Sequence, residues 1–310
     1  MIRLLDYFFI LRPILFFPGW TTTLAGYLCA TGGGYPWTVW SGKAPSGLIL
    51  VGIASAMLMG AGFIVNQWYD TDSDRLNNKL FFLAQDFVSK KAAIAEAMFL
   101  MLGALILASR VSVLMLVIFM VAALLFTVVY NMKPLALKDR VFGSFVANAL
   151  MGFLAFAYGW FVMSDSWTRL LTSGVPYLFF NTSLYFLTTI PDASGDRDTQ
   201  KQTICVVYGM PTTIRWGLAF EVAALISGAM LADPVILVPT IVVLPLFLYL
   251  LFHPERHVVI RTIKLGLFSF AISVAVYFPA FIILIVFFFF FTRWSYRRRF
   301  HITYPNFGGE

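Results

Sequence analysis

The chain has 310 residues, of which 60% are hydrophobic and 12% charged, and its formal net charge is +7. Soluble globular domains carry about 25% charged residues, so this much apolar surface cannot be hidden in one water-soluble core; the composition is that of an integral membrane protein. The basic residues are scattered between apolar runs, which argues against a nucleic-acid-binding patch and fits the positive-inside bias of membrane loops.

Runs of roughly 17–25 mainly apolar residues are long enough to cross a bilayer as helices. Nine are predicted, at about 8–30, 46–66, 92–109, 111–131, 142–163, 173–191, 213–231, 235–252 and 265–291. The first begins near Tyr7, between Arg3 and Arg12, and no small-residue cleavage site follows it, so it is expected to be an uncleaved helix and not a signal peptide. Gly and Pro, as in TGGGYP, and charged loops separate the runs. The last run ends in AFIILIVFFFFFTRW, with an interfacial Trp294, and is followed by the basic tail YRRRFHITYPNF. No soluble domain interrupts the series, so residues 1–310 are expected to form a single transmembrane domain. Its acidic loops, at about 67–91 and 192–212, lie between spans.

With the N-terminus inside, the connections after the second, fourth, sixth and eighth spans are also cytoplasmic. Most Lys and Arg then lie inside. Lys43, Arg110 and Arg169 fall on the other side, as do the tail residues Arg293, Arg297, Arg298 and Arg299. The basic tail is the one objection to nine spans; a final helix that re-enters, or one missed span, would remove it. The fold expected is all-α and polytopic, with two four-helix units in the same orientation plus a ninth helix. Parallel repeats of this kind place a site at their interface. Cys29 falls in an apolar helix and Cys205 at a loop exit, so free thiols are expected, and without partner histidines they offer no zinc site. Asn148 and Glu221 lie inside predicted spans; Glu221, near a helix start, is expected to snorkel. His253, His257 and His301 are dispersed and are read as interfacial.

Acidic residues number 15 in the whole chain, yet NQWYDTDSD (Asn66–Asp74) places Asp70, Asp72 and Asp74 directly after an apolar span. IPDASGDRD (Ile190–Asp198) repeats the pattern with Asp192, Asp196 and Asp198. If the second span runs on as a helix, Asn66, Asp70 and Asp74 drift only about 80° around it and stay on one face. Asp192 and Asp196 share that spacing, and Asn181 and Tyr185 precede them on nearly the same stripe. Asp72 and Asp198 point away from the stripe. Such a carboxylate cluster repels itself at a membrane boundary unless a cation sits in it. The donors are all oxygen, which favours a hard cation such as Mg²⁺ holding a phosphate. Basic residues stand beside both motifs: Arg75 and Lys79 after the first, Arg197 and Lys201 after the second. Tyr130, Lys133 and Lys138 come from YNMKPLALK. An anion held through metal, on a hydrocarbon-bearing substrate, accounts for that mixture.

These residues resemble the UbiA-type intramembrane prenyltransferases. The resemblance rests on N-x-x-x-D-x-x-x-D after the second span, D-x-x-x-D after the sixth, Tyr130 to Lys138 followed by GSFVAN, and GDRDTQKQT, and it covers nearly the whole chain. It implies a helical bundle around a central cavity open to lipid, and Mg²⁺-dependent transfer of a prenyl chain from its diphosphate to an acceptor, with release of pyrophosphate. Carried over position by position, Asn66, Asp70, Asp74, Asp192 and Asp196 hold Mg²⁺ and make up the catalytic motifs. Lys138 with Tyr130 contacts the diphosphate, Lys133 less closely, and Lys79, Arg75, Lys201 and Arg197 assist. Asp72, Asp198, Asn181 and Tyr185 rank below these. The chain departs from aromatic-acid-using relatives, which carry an Arg-Pro pair soon after the first motif; here the segment is NNKLFFLAQDFVSKK, and Lys79 is the candidate replacement. The partners implied are a prenyl diphosphate, an unidentified acceptor and the bilayer of the cytoplasmic membrane, with no nucleic acid.

Two other classes share some features. A cation-coupled carrier also uses intramembrane acids, but places them in broken helices at the midplane; here they sit at helix ends. A non-catalytic polyprenyl-binding protein keeps the pocket and tolerates loss of Asp192. A phospholipid-headgroup transferase is set aside, since neither D-G nor A-R occurs near either motif.

Overall fold

The computed structural model describes residues 4–32, 45–76 and 82–305. Among them the protein is helical, with no strand. The elements in chain order are α1 (Leu5–Phe9), a 3-10 turn (Pro13–Leu15), α2 (Phe16–Ala30), α3 (Ser46–Tyr69), α4 (Thr71–Leu76), α5 (Lys90–Ser109) and α6 (Val113–Ala123). The last of these continues as a π-helix (Leu124–Val129). A 3-10 turn (Leu137–Asp139), α7 (Val141–Trp160), α8 (Trp167–Asp198), α9 (Ile204–Met230), α10 (Pro234–Phe252), α11 (Arg256–Ala275) and α12 (Pro279–Phe300) complete it. Several starts are written in the sequence as capping residues. Ser89, Ser112 and Ser166 accept from the backbone N–H three residues on, and Asp233 accepts from Val235 N–H just before Pro234 opens α10.

Among the described residues, seven helical segments, the first being Leu5–Ala30 (α1, the 3-10 turn and α2 together), are long and apolar enough to cross a membrane, and Val113–Val129 is a shorter apolar helix. Their outward faces stay apolar. Met98, Phe99, Leu102 and Ile106 form an exposed stripe at helical spacing on α5, with Phe99 72% exposed. A stripe of that kind is costly in water and is at home against lipid chains. The protein is thus an all-helical, polytopic integral membrane protein.

The chain packs as two compact units. One comprises α1, the first part of α2, α3 to α6 with the π-helix, and α12; the other comprises the rest of α2 and α7 to α11. Packing, not chain order, therefore defines the units. In the second unit α2 and α7 approach at glycines. A Cβ on Gly26 would meet the Phe156 backbone, and one on Gly159 would meet the backbone of Thr23 and Tyr27.

The apolar run expected as one span over 265–291 is two helices. α11 ends at Ala275 and α12 begins at Pro279. Proline has no N–H to extend a preceding helix, and it disfavours helical geometry in the residue before it, so Val276–Phe278 become a turn. The consequence is topological. The end of α12 returns to the N-terminal end of the first unit, where the Arg299 Nη2 lies 3.0 Å from Asp6 Oδ2 and its Nε 3.3 Å from Asp6 Oδ1. Tyr296 packs edge-on against Phe9 and Phe82, and Phe300 against Phe82 and Phe87. The basic tail therefore sits beside the N-terminus, and the objection to the positive-inside reading falls away. Asp6 is 3% exposed, so Arg299→Ala strands a buried carboxylate, with an expected loss of about 2 kcal/mol. Thermal unfolding in detergent measures this, and adding Asp6→Asn to Arg299→Ala should recover part of the loss.

Two further readings change. Glu221 does not snorkel: it lies well past the kink at Gly209 on α9, is fully buried, and its Oε2 accepts the Ser183 hydroxyl from α8 at 2.6 Å. The expected loop over 192–212 is largely helical, because α8 runs to Asp198 and α9 starts at Ile204, kinked at Gly209 where φ is 78°.

Candidate functional site

The first acidic motif forms where α3 gives way to α4. Asp70 caps α3 with φ −94° and ψ 5°, yet the backbone ladder continues across it. Asp70 N–H donates to Asn66 C=O at 3.0 Å and Asp74 N–H to Asp70 C=O at 2.8 Å. The four-residue step is preserved, so Asn66, Asp70 and Asp74 share one face, as the spacing required. Asn66 and Asp70 are half-buried and Asp74 is buried. The neighbouring face is pinned to the first unit's interior: the Gln67 amide donates to Ile10 C=O at 2.8 Å, and the Thr71 hydroxyl to Gln67 C=O at 2.9 Å. Asp72 belongs to α4, but its side chain lies outside the described residues, as does the whole of Lys79.

Arg75 has a local role in this unit. Its Nε donates to Ala84 C=O at 2.8 Å and its Nη2 pairs with Asp86 at 2.6 Å, so the guanidinium holds the turn that follows the motif. From the end of the π-helix, Tyr130 is half-buried, with its N–H on Leu125 C=O at 3.0 Å, and Lys133 is exposed. Between them Asn131, which the sequence reading passed over, is 3% exposed and accepts from the Asn66 amide at 3.0 Å.

The second motif lies on α8. At about 1.5 Å per residue, its 32 residues span about 48 Å, well beyond a hydrocarbon core of about 30 Å. Asp192 and Asp196 occupy its final turns one helical turn apart; Asp192, Arg197 and Asp198 are exposed and Asp196 is half-buried. Pro191 precedes them inside the helix, and its C=O accepts from Arg256 at 3.0 Å. After the motif, Lys201 N–H donates to Asp196 C=O at 2.9 Å and Gln202 N–H to Asp139 C=O at 3.1 Å. This last bond ties the exit of the motif to the 3-10 turn carrying Lys138, which is buried. The second unit thus places Lys138 and the Asp192–Asp196 stripe at the same end. Earlier on α8, the Tyr185 and Ser144 hydroxyls are hydrogen-bonded, Asn148 donates to Ser144 C=O at 2.8 Å, and the Asn181 amide donates to Thr22 Oγ1 at 3.4 Å. Tyr185 and Asn181 serve helix packing there.

Chemically, each unit presents oxygen donors at a helix end beside fixed cations. Among the described residues no three His, Cys, Asp or Glu side chains gather as a ready metal site. The donors come instead in two sets, of the kind that a small hard cation completes with water and phosphate oxygens. In the first set the Asn66 Nδ2 is engaged by Asn131, which leaves its amide oxygen as the end that a cation could meet. Such donors fit Mg²⁺ and do not suit a soft metal.

The UbiA prenyltransferase family model matches residues 19–256. No curated protein matches the chain. Among solved structures, digeranylgeranylglyceryl phosphate synthase is 17% identical, with 91% of this chain and 99% of that one covered and a TM-score of 0.65. A UbiA homologue from Archaeoglobus fulgidus bound to DMAPP and Mg²⁺ is 19% identical, with 88% and 99% covered and a TM-score of 0.64. The apo UbiA homologue from Aeropyrum pernix K1 is 17% identical, with 87% and 97% covered and a TM-score of 0.66. At these identities the likeness is one of fold.

Proposed function

Because the chain belongs to the UbiA prenyltransferase family, we propose that it transfers a prenyl group from an allylic diphosphate to an acceptor within the membrane, releasing pyrophosphate and requiring Mg²⁺. The observation that carries the assignment to particular residues is the pair of backbone bonds, Asp70 N–H to Asn66 C=O and Asp74 N–H to Asp70 C=O, that keeps the four-residue step across the break at Asp70 and so favours one face for the three donors. Asp192 and Asp196 repeat that display on α8. These five residues would hold Mg²⁺ against the diphosphate. When bound, the metal supplies positive charge to the departing pyrophosphate.

The chain's own residues do the rest. Lys138, buried and tied by its turn to the exit of the second motif, binds the diphosphate and stabilises charge on the leaving group as the C1–O bond breaks. Tyr130 assists, and Lys133, Lys201 and Arg197 raise the local concentration of the anion. Arg75, held by Ala84 and Asp86, acts by positioning the turn after the first motif and not by touching substrate. Asp72 and Asp198 stay outside the ligand set. The apolar helices receive the prenyl chain and exclude water from the allylic cation, and the acceptor arrives from the lipid or the aqueous edge. Both motifs face the cytoplasm of a cytoplasmic membrane. The Lys and Arg bias supports that side, and so does the return of the tail to the N-terminal end.

The test is pyrophosphate release by detergent-purified protein with a panel of prenyl diphosphates and acceptors. Release is expected to require Mg²⁺, to stop in EDTA, and to depend on one acceptor class. Transport of a prenyl diphosphate with no pyrophosphate formed would overturn the reading in favour of a carrier.

A further inference from the structure

We infer that Asn131 is a positioning residue that turns the amide oxygen of Asn66 toward the bound cation, and that the π-helix before it exists to place it there. The inference rests on the metal reading above and adds a residue outside both acidic motifs. Asn131 is 3% exposed, and both ends of its amide are used. Its Oδ1 accepts from Asn66 Nδ2 at 3.0 Å, and its Nδ2 donates to Phe126 C=O at 2.7 Å. With Asn66 Nδ2 committed to that bond, the Asn66 amide has one orientation and its oxygen faces away from Asn131. A metal-ligating group is commonly held in this way by a hydrogen bond from behind, and removing such a partner typically costs 10–100-fold in metal affinity.

The backbone explains why Asn131 is in reach. Leu124–Val129 is a π-helix, and Tyr130 N–H bonds Leu125 C=O five residues back. Phe126 and Asn131 are separated by that same step of five. On α3, Gly62 and Asn66 are one α-turn apart. Gly62 has no side chain, and an ideal Cβ there would already lie 3.4 Å from Phe126 Cβ, so the two helices are in contact at that point. One π-turn on one helix thus spans one α-turn on the other: Gly62 stands against Phe126 and Asn66 against Asn131. An α-helical register would rotate Asn131 by about 100° away from α3. The widened turn also leaves the Phe126 carbonyl for the Asn131 side chain. Mere interhelical adhesion would not need the second bond from Asn131 to a backbone carbonyl, which fixes the amide that in turn fixes Asn66.

The full-length protein in detergent is titrated with Mg²⁺ in the presence of inorganic pyrophosphate, reading the thermal unfolding midpoint. Asn131→Ala is expected to raise the half-saturating Mg²⁺ concentration about 10-fold; it also lowers the midpoint in EDTA, because a buried amide with two bonds is lost, so the half-saturating concentration is the quantity compared. In an Asn66→Ala background it should add nothing, because the group it orients is gone. If Asn131→Ala does not fold, Asn131→Ser, which keeps polarity but is too short to hold both partners, is read in its place. An unchanged half-saturation, or an equal effect in the Asn66→Ala background, overturns the inference. Asp70→Ala separates the two levels. A Mg²⁺ response lost in Asp70→Ala but intact in Asn131→Ala refutes the positioning role alone. A response absent from the wild type, or retained in Asp70→Ala, removes the metal reading and the inference with it.

Discussion

Asp70→Ala and Asp192→Ala are each expected to lower turnover by on the order of 10²–10³-fold or more, with the fold intact. Both side chains stand at helix ends: Asp70 is half-buried at the cap of α3, and Asp192 is exposed on the last turns of α8. Their truncation opens no cavity in an apolar core. Each also removes one of the like charges that stand one helical turn apart in its own motif. The thermal midpoint in EDTA should therefore hold or rise, while the stabilisation gained on adding Mg²⁺ shrinks. Asp74→Ala differs, because its side chain is 4% exposed, so its activity loss is accompanied by a lower midpoint. Measuring initial rates at saturating Mg²⁺ alongside the midpoint separates these cases. Undiminished activity in either Asp70→Ala or Asp192→Ala would sink the site assignment. Retained prenyl-diphosphate binding by Asp192→Ala, in a protein that never released pyrophosphate, is the behaviour of a non-catalytic binder.

What could be read from the sequence follows the range of the interactions concerned. The apolar runs and the four-residue acidic spacing are local, and a helix turns them into spans and stripes with no help from elsewhere. Hence Asn66, Asp70 and Asp74 fall on one face as the spacing required, even though the helix is interrupted at Asp70. The division at Pro279 was also local, and the proline was visible. It was masked because the run from Leu265 to Phe291 is apolar throughout and a single span absorbs it. The burial of Glu221 was not local either: the hydroxyl that its carboxylate accepts belongs to Ser183, 38 residues away on α8. The role of Asn131 was beyond reach. Its partner is 65 residues away, and its orientation depends on a π-turn whose sequence, LLFTVV, is as apolar as the α-helix before it. The same holds for Arg75: a basic residue after an acidic motif suggested a diphosphate contact, and only the fold of the 82–88 turn supplied the competing acceptors.

Gly159→Val and Gly26→Val are expected to prevent folding of the second unit, the largest structural effect foreseen for single substitutions. Both sit where α2 and α7 meet without side chains between them. A Cβ at Gly159 would fall onto the carbonyl of Thr23 and lie 2.7 Å from the Tyr27 N, and one at Gly26 would fall onto the carbonyl of Phe156. The obstacles are backbone atoms of packed helices, not the ends of flexible side chains, so relief requires the helices to separate. In a bilayer such close approach at small residues is a main source of helix association, because lipid replaces any hydrophobic drive between the helices. Separation also disturbs the neighbours: Phe156 stacks on Trp160 and Tyr177, and Asn181 on α8 bonds Thr22 on α2. The valine variants are expected to lose about 3 kcal/mol or more. They should give aggregated material on size exclusion, whereas Gly152→Ala, where a Cβ meets the Asn181 amide end at 3.3 Å, is expected to fold with a lowered midpoint. The link to function is mechanical. α7 begins directly after Lys138 and carries Ser144, which bonds Tyr185 on α8. If α7 comes away from α2, the turn that presents Lys138 to the second aspartate motif loses its support. A folded, Mg²⁺-responsive Gly159→Val protein would show that this crossing is looser than the two glycines require.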